Sequence, residues 1–352
     1  MTIGLDELQL AARNHGLPLE ALRWDVTPVG LHYLLIHYDI PAVDPAAWRL
    51  ELGGRVERPL SLGLDDLRGR AQTELVSTME CAGNGRARME PRAISQPWLL
   101  EAVGTGRWGG VALADLLAEA GPLDDAVDVV FTGLDGGIEG GVEQRYERSL
   151  PLAEATSADL LLALDLNGAP LPPQHGFPLR LVVPGWYGMT NVKWLARIEV
   201  VDAPFAGYQQ TTSYRFRRDA DDEGVPVARM APRALMVPPG EPDFLTRERF
   251  LPARPTVIEG RAWSGHGSVE RVEFTCDGGG TWHDAALDPL VGRWAWRRWT
   301  YAWESPSSGH HVLSCRATDA AGNVQPVVPE WNVGGYANNA VQRVPVTVRA
   351  QA

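Results

Sequence analysis

The stretch between positions 257 and 350 decides the architecture: VIEGRAW (257–263), VERVEFTC (269–276), WAWRRWTYAW (294–303), HHVLSCRATD (310–319) and VPVTVRA (344–350). Each is short, alternating and rich in β-branched or aromatic residues, the pattern of strands with one buried face. Between them, GHG (265–267), DGGG (277–280), SPSSG (305–309) and DAAGN (319–323) supply turn residues. Short strands at this spacing predict a β-sandwich of immunoglobulin-like size over 256–352.

Upstream, residues 219–255 are rich in proline and acidic side chains, including MVPPGEP (236–242) and LPARP (251–255), and are read as an extended connector. Residues 1–218 mix element types. Strand-like apolar runs lie at Trp48–Leu52, Val127–Phe131, Leu160–Leu164, Leu179–Val183 and Val192–Val200, with Asn167-Gly168 as a turn signal. Val111–Glu119 has helical spacing and stops before Gly121-Pro122. Without strict strand–helix alternation, the first domain is predicted to be α+β rather than a doubly wound parallel sheet.

The length of 352 residues, with 45% apolar and 22% charged residues, suits two globular domains. Thirty-two Lys and Arg against 44 Asp and Glu give a net charge of −12, which argues against a general nucleic-acid binder. No run approaches the roughly 18 apolar residues of a membrane span. The start, MTIGLDELQLAARNHGLPLE, shows no basic segment followed by an apolar core, so the expected location is the cytoplasm as written, with the periplasm left open. Cys81, Cys276 and Cys315 lack the spacing of a zinc site, a redox pair or an attached haem. Cys276 and Cys315 are read as two buried thiols, with a bridge across the sandwich as the alternative.

Two segments carry chemistry. In TMECAGNGR (78–86), Cys81 sits where an apolar run enters a Gly/Asn turn, with Arg86 close enough in sequence to favour a thiolate. A packing cysteine beside a structural turn fits the same residues. In QHGFPLRLVVPGWYGMTNVK (174–193), His175, Arg180 and Lys193 occur with no acidic residue between them, and Gly185 and Gly188 allow close backbone approach. This composition suits an anion cradle. A Pro/Gly-rich surface loop fits it equally. His37 and Trp98 are ambiguous on their own: a packed histidine and a packing tryptophan are the ordinary cases.

The order of motifs along the chain resembles the sulfite oxidase family of molybdenum-cofactor enzymes. The resemblance rests on Cys81-Ala82-Gly83-Asn84, Arg107-Trp108, Asn167-Gly168, Leu171-Pro172, His175-Gly176-Phe177-Pro178, Val183-Pro184-Gly185 and Val192-Lys193-Trp194. The second domain adds Ala262-Trp263-Ser264-Gly265, Asp277-Gly278-Gly279, Asn323-Val324-Gln325-Pro326 and Trp331-Asn332. The resemblance implies that Cys81 is the protein ligand to molybdenum, whose other ligands come from a pyranopterin dithiolene (molybdopterin) and terminal oxygens. It implies that His37, Asp135, His175, Arg180 and Lys193, with backbone near Asn191, hold the cofactor. It also implies that Arg86, Trp98 and Tyr214 face the substrate. The expected activity is transfer of an oxygen atom between the metal and a small substrate such as sulfite. With no haem motif in the chain, electrons would pass to an external carrier such as a cytochrome. A homodimer through the sandwich is implied as well.

The departures fall at the substrate end. Leu35 and Gly334 stand where the family carries arginines that bind sulfite. Losing one such bidentate contact costs about 2–5 kcal/mol, and Arg215, Arg217 or Arg218 beside Tyr214 are candidates to compensate. Two alternatives follow: a reductase of an S-oxide or N-oxide on the same cofactor, and a cofactor-free interaction protein retaining the fold.

Overall fold

The computed structural model describes residues 3–350 apart from Ser305. The first domain is built on two sheets. One has five strands in the spatial order Leu60–Leu62, Leu50–Gly54, Leu195–Val201, Asp128–Glu139, Val142–Pro151. Its only parallel pair joins Leu50–Gly54 to Leu195–Val201. The other runs Thr73–Glu80, Val103–Ala112, Leu161–Leu166 and Ala169–Pro170, with Arg180–Val182 also pairing to Leu161–Leu166. The α+β expectation holds, with strands far outnumbering short helices.

Local sequence explains these elements. In LADLLAEA (Leu113–Ala120), Leu113, Leu116, Leu117 and Ala120 are buried, one face of a helix at i, i+3, i+4 and i+7. That face packs between the sheets with Leu50, Phe131, Leu162 and Ile198. The run LLALDL (Leu161–Leu166) lies between two neighbouring strands and is buried almost throughout, so it reads as a continuous apolar segment. The Gly-rich strand Val103–Ala112 carried no such signal, because four of its ten residues are glycines.

The second domain is the expected sandwich. One sheet orders Arg233–Met236, Thr256–Trp263, Arg297–Trp303 and Ala286–Leu287. The other orders Glu241–Pro242, Arg249–Pro252, Val344–Arg349, Gly309–Asp319, Val269–Thr275 and His283–Asp284. Their inner faces enclose Ile258, Val272, Phe274, Trp299, Leu313 and Val346.

One correction concerns the segment 219–255. It is not an extended connector throughout, because Arg233–Met236 and Arg249–Pro252 are strands of the two sandwich sheets. Proline flanks Arg233–Met236 closely on both sides, at Pro232 and Pro238, which hides its pattern in the sequence. Its remaining backbone N–H groups are met by side chains: Ala234 donates to Gln325 Oε1 at 2.8 Å and Met236 to Gln342 Oε1 at 2.7 Å.

Cys276 and Cys315 are free thiols, the first half-buried and the second fully buried. Cys276 lies just past the end of the strand Val269–Thr275, and Cys315 sits in the neighbouring strand opposite Phe274. The domains meet over a third apolar cluster that joins Ala82, Leu100, Tyr187 and Tyr214 to Leu235, Trp263 and Trp296. No helix among the described residues is long and apolar enough to cross a membrane.

Candidate active site

The strand Thr73–Glu80 runs from solvent into the interior, its last four residues buried. Cys81 follows, held by its backbone N–H donating to Ala102 O at 2.9 Å. A turn through Gly83 and Gly85 then reverses the chain, so that Arg86 returns over it. At Gly83 a Cβ would lie 2.7 Å from the Arg86 guanidinium, so this close approach needs glycine. The Arg86 side chain is fixed by Nε donating to Gly334 O at 2.9 Å and Nη1 to Gln96 O at 3.3 Å. Its guanidinium carbon lies 5.1 Å from the centre of the Tyr336 ring.

Cys81 stands at the junction of two cavities. The inner one, about 590 Å³ of empty space, is lined by Met79, Cys81, Asp135, His175, Arg180, Asn191 and Lys193, with His32, His37 and Tyr214 among its other walls. The outer one, about 970 Å³, is lined by Leu35, His37, Cys81, Arg86, Trp98, Glu139, Tyr214 and Tyr336 among others. All ten residues expected at the site line one or both of these cavities.

The inner cavity is rich in positive charge. Arg180 is buried against the Trp108 ring at 4.9 Å, and donates to the carbonyls of His175 and Asn191 and to the Met79 sulfur. It pairs with no carboxylate among the described residues, and its Nε has no partner. Lys193 Nζ donates to Leu35 O at 2.7 Å. Burial, then the charge of Arg180, bring the Lys193 ammonium down to about 7. Burial likewise holds His32 near 4, His37 near 3 and His175 near 2, so the imidazoles are neutral. The one carboxylate here, Asp135, is pushed up to about 6 by burial, against the pull of Lys193. Asp135 reaches the cavity because the hairpin register shifts between Thr132 and Gly136, a bulge that re-aims the strand.

Three buried polar atoms of this cavity, His32 Nε2, Asp135 Oδ1 and Arg180 Nε, have no hydrogen-bond partner among the described residues and are open to a ligand. An anionic polar group fits such a cradle, since two cations otherwise face one weak acid. Asn191 contributes differently. Its side chain is occupied in the scaffold, accepting from Val183 N and donating to Tyr187 O, while its carbonyl receives Arg180. Its backbone N–H is likewise taken, donating to Gly188 O at 3.1 Å.

Burial raises the Cys81 thiol above its ordinary range, with Arg86, a Gly83 N–H and the Trp98 indole opposing. Among the described residues, no group of three His, Cys, Asp or Glu side chains is placed to hold a metal ion. The described residues thus offer no ready-made set of three such ligands around Cys81.

At the outer mouth, Tyr214 Oη and His37 Nε2 share a hydrogen bond of 2.5 Å. Burial raises Tyr214 well above the usual phenol range, so it keeps its proton. The compensating arginines expected nearby are placed elsewhere. Arg215 donates to Glu223 O and Gly224 O, Arg218 pairs with Glu330, and none of the three lines either cavity. Several participants escaped the sequence reading: His32, Glu80, Glu139 and Tyr336. For His32 the signal was its place five residues before His37 in HYLLIH; for the others no local signal exists.

Residues 37–209 match the oxidoreductase molybdopterin binding domain family, and residues 227–349 match the Mo-co oxidoreductase dimerisation domain family. The chain is 36% identical to mitochondrial sulfite oxidase of Mus musculus over 342 residues, covering 92% of this chain and 62% of that protein. It thus spans less than two thirds of the length of that relative. It is 36% identical to sulfite oxidase of Gallus gallus over 337 residues, covering 90% of this chain and 72% of that one. Among solved structures, the sulfane dehydrogenase SoxCD of Paracoccus pantotrophus superposes with a TM-score of 0.81 at 28% identity, covering 95% of this chain and 86% of that one. With both domains matched in order and a sulfur at the meeting point of a cationic cradle and an open pocket, the chain belongs to the sulfite oxidase family of molybdopterin oxidoreductases.

Proposed function

We propose that this protein is a molybdopterin-dependent oxidoreductase that oxidises a small sulfur compound and passes the electrons to an external carrier such as a cytochrome. The observation that carries this reading is the position of Cys81, whose sulfur faces the cation-lined inner cavity on one side and the Arg86–Tyr214–Trp98 pocket on the other. The inner cavity fits the pterin and its phosphate: Arg180 and Lys193 would neutralise the anion, His32 and Asp135 hold free hydrogen-bonding atoms, and Cys81 offers a soft ligand. A bound molybdenum–dithiolene group supplies two-electron oxygen-atom exchange with a substrate lone pair.

The chain's own residues do the rest. Arg86, tied at Nε and Nη1, presents its remaining N–H groups to an anion at no cost of reorganisation. Tyr214 keeps a hydroxyl proton to donate to a substrate oxygen, and its bond to neutral His37 fixes where that proton points. Trp98, buried in the wall of the same pocket, helps to shield the Cys81 sulfur from solvent. The likeness to a sulfane dehydrogenase supports the oxidative direction. Arg233 and Trp263 of the second domain reach Glu80, so that domain supports the site as well as offering the surface for a homodimer.

Protein isolated from a host that makes molybdopterin is expected to carry about one molybdenum and one pterin per chain, and to reduce an artificial one-electron acceptor with a sulfur donor. Metal-free, pterin-free protein from such a host would overturn the reading. Turnover of a sulfoxide without oxidation of any sulfur donor would reverse its direction.

A further inference from the structure

The outer cavity is built for one negative charge and an apolar arm. Its lining holds a single guanidinium, Arg86, and a single carboxylate, Glu139. Glu139 is in no ion pair among the described residues: its oxygens accept from Tyr38 Oη at 3.1 Å, Gln209 Nε2 at 2.6 Å and Ser213 Oγ at 3.3 Å. A dianion entering here meets one cation and one carboxylate, so its second charge is uncompensated. A neutral ligand leaves the free donors of Arg86 unused.

The remaining wall is apolar. Leu35, Ile36 and Trp98 line it, and Ile138 stands exposed at the rim. Opposite them, Tyr336 stacks between Arg86 and Tyr214, its ring centre 5.2 Å from that of Tyr214. The ring occupies this place because position 334 is glycine, where a Cβ would lie 2.3 Å from the Tyr336 ring. The loop Asn332–Tyr336 is closed on itself by Tyr336 N donating to Asn332 Oδ1 at 2.9 Å and Asn332 Nδ2 to Tyr336 O at 2.8 Å.

We propose that the substrate is an organosulfinate, R–SO2⁻, with a small apolar R group, and that Tyr336 and Glu139 are the residues that select it over sulfite; this rests on the oxidoreductase reading above. A sulfinate carries a lone pair on sulfur as sulfite does, but one charged oxygen is replaced by carbon. The sulfinate oxygens pair with Arg86, and R lies against Leu35, Trp98 and Tyr336. The reaction balances as R–SO2⁻ + H2O → R–SO3⁻ + 2 H⁺ + 2 e⁻. A sulfur–oxygen bond forms, its oxygen derives from water, sulfur is oxidised by two electrons, and two one-electron acceptors such as ferric cytochromes are reduced.

Two measurements on the molybdenum-loaded protein test this. With ferricyanide as acceptor, kcat/KM for propane-1-sulfinate is expected to exceed that for sulfite at least tenfold; sulfite equal or better overturns the proposal. Independently of turnover, calorimetric titration is expected to show propane-1-sulfonate binding at least tenfold more tightly than sulfate, and equal or reversed affinities also overturn it. Glu139→Gln, which keeps hydrogen-bonding capacity, is expected to raise sulfite kcat/KM several-fold more than that of propane-1-sulfinate, and Tyr336→Ala to weaken sulfonate binding more than sulfate binding. Absence of any such relative shift removes these two residues from the proposal. Loaded protein that oxidises neither donor refutes the oxidoreductase reading, while the titration still decides which anion the pocket prefers.

Discussion

Glu80 and Arg233 form an ion pair across the domain boundary, with 2.8 Å between Oε1 and Nε and both side chains shut off from solvent. Glu80 directly precedes Cys81, and its carboxylate also accepts from Asn84 Nδ2 at 3.0 Å and Trp263 Nε1 at 2.8 Å. The second domain therefore holds the backbone at the cysteine through a buried carboxylate. Arg233→Met leaves that charge without its cation and is expected to destabilise the protein by about 3–5 kcal/mol. The double variant Glu80→Gln/Arg233→Met removes both charges and should recover much of the loss. Urea midpoints of wild type, Glu80→Gln, Arg233→Met and the double variant check this; an additive double variant would mean that the pair is not coupled.

Tyr214→Phe removes the hydroxyl that bonds His37 without emptying the ring's place against Tyr336. Molybdenum content and thermal midpoint should stay at wild-type values while kcat falls by about 10²–10³, the usual loss for a donor aimed at developing charge. An effect confined to KM would make Tyr214 a binding group only.

Lys193 illustrates a residue kept against stability. Its side chain is half-buried, its ammonium is drawn down to about 7 by desolvation and by Arg180, and it donates to the Leu35 carbonyl. Because the folded value lies below the unfolded one, the unfolded chain binds more protons between about pH 7 and about pH 10.4, and cofactor-free protein should gain stability as pH rises through that window. Lys193→Met is expected to stabilise cofactor-free protein at pH 7 by about 1 kcal/mol and to flatten that pH dependence. The same variant should retain much less pterin. Thermal melts at pH 7 and pH 9, together with pterin assays, separate the two effects.

What was legible in the sequence was what the chain keeps local. The turn after Cys81 and the run from His175 to Lys193 each carry their chemistry within about twenty residues, and both arrive at the site as contiguous pieces. Glu80–Arg233 spans the two domains, and Tyr336 comes from a loop 250 residues after Arg86 in the chain, so neither leaves a local pattern. Gly334 shows the limit most clearly. In sequence it reads as a missing charge, whereas in space its missing Cβ is what admits the Tyr336 ring. Arg215 errs the other way, since its nearness to Tyr214 along the chain is cancelled by a short hairpin, Arg215–Phe216 with Val225–Pro226, that turns its guanidinium toward local carbonyls.

The final prediction concerns the segment that carries Arg86 and Trp98. The helix Leu5–Arg13 is clamped onto it by Glu7, which pairs with Arg92 through both carboxylate oxygens. Asn14 adds a second clamp, donating to Gln96 Oε1 at 3.0 Å while accepting from Ile36 N at 2.7 Å. The Arg92 guanidinium, with the Gly4 N–H, holds the Glu7 carboxyl down to about 2. A depressed folded value means that the pair stabilises fully above the unfolded carboxylate range, near pH 4.5, and loses that contribution as pH falls through about 2. Glu7→Gln lacks the contribution at every pH. It should therefore be less stable than wild type at pH 7, with the gap narrowing steadily below pH 4.5. Because Arg86 rides on the clamped segment, the variant should also raise KM for an anionic substrate at pH 7 while leaving molybdenum content intact. Urea midpoints at pH 7, 4.5 and 3 follow the first effect, and steady-state kinetics the second; a constant gap across those pH values would show that Glu7 acts through packing rather than charge.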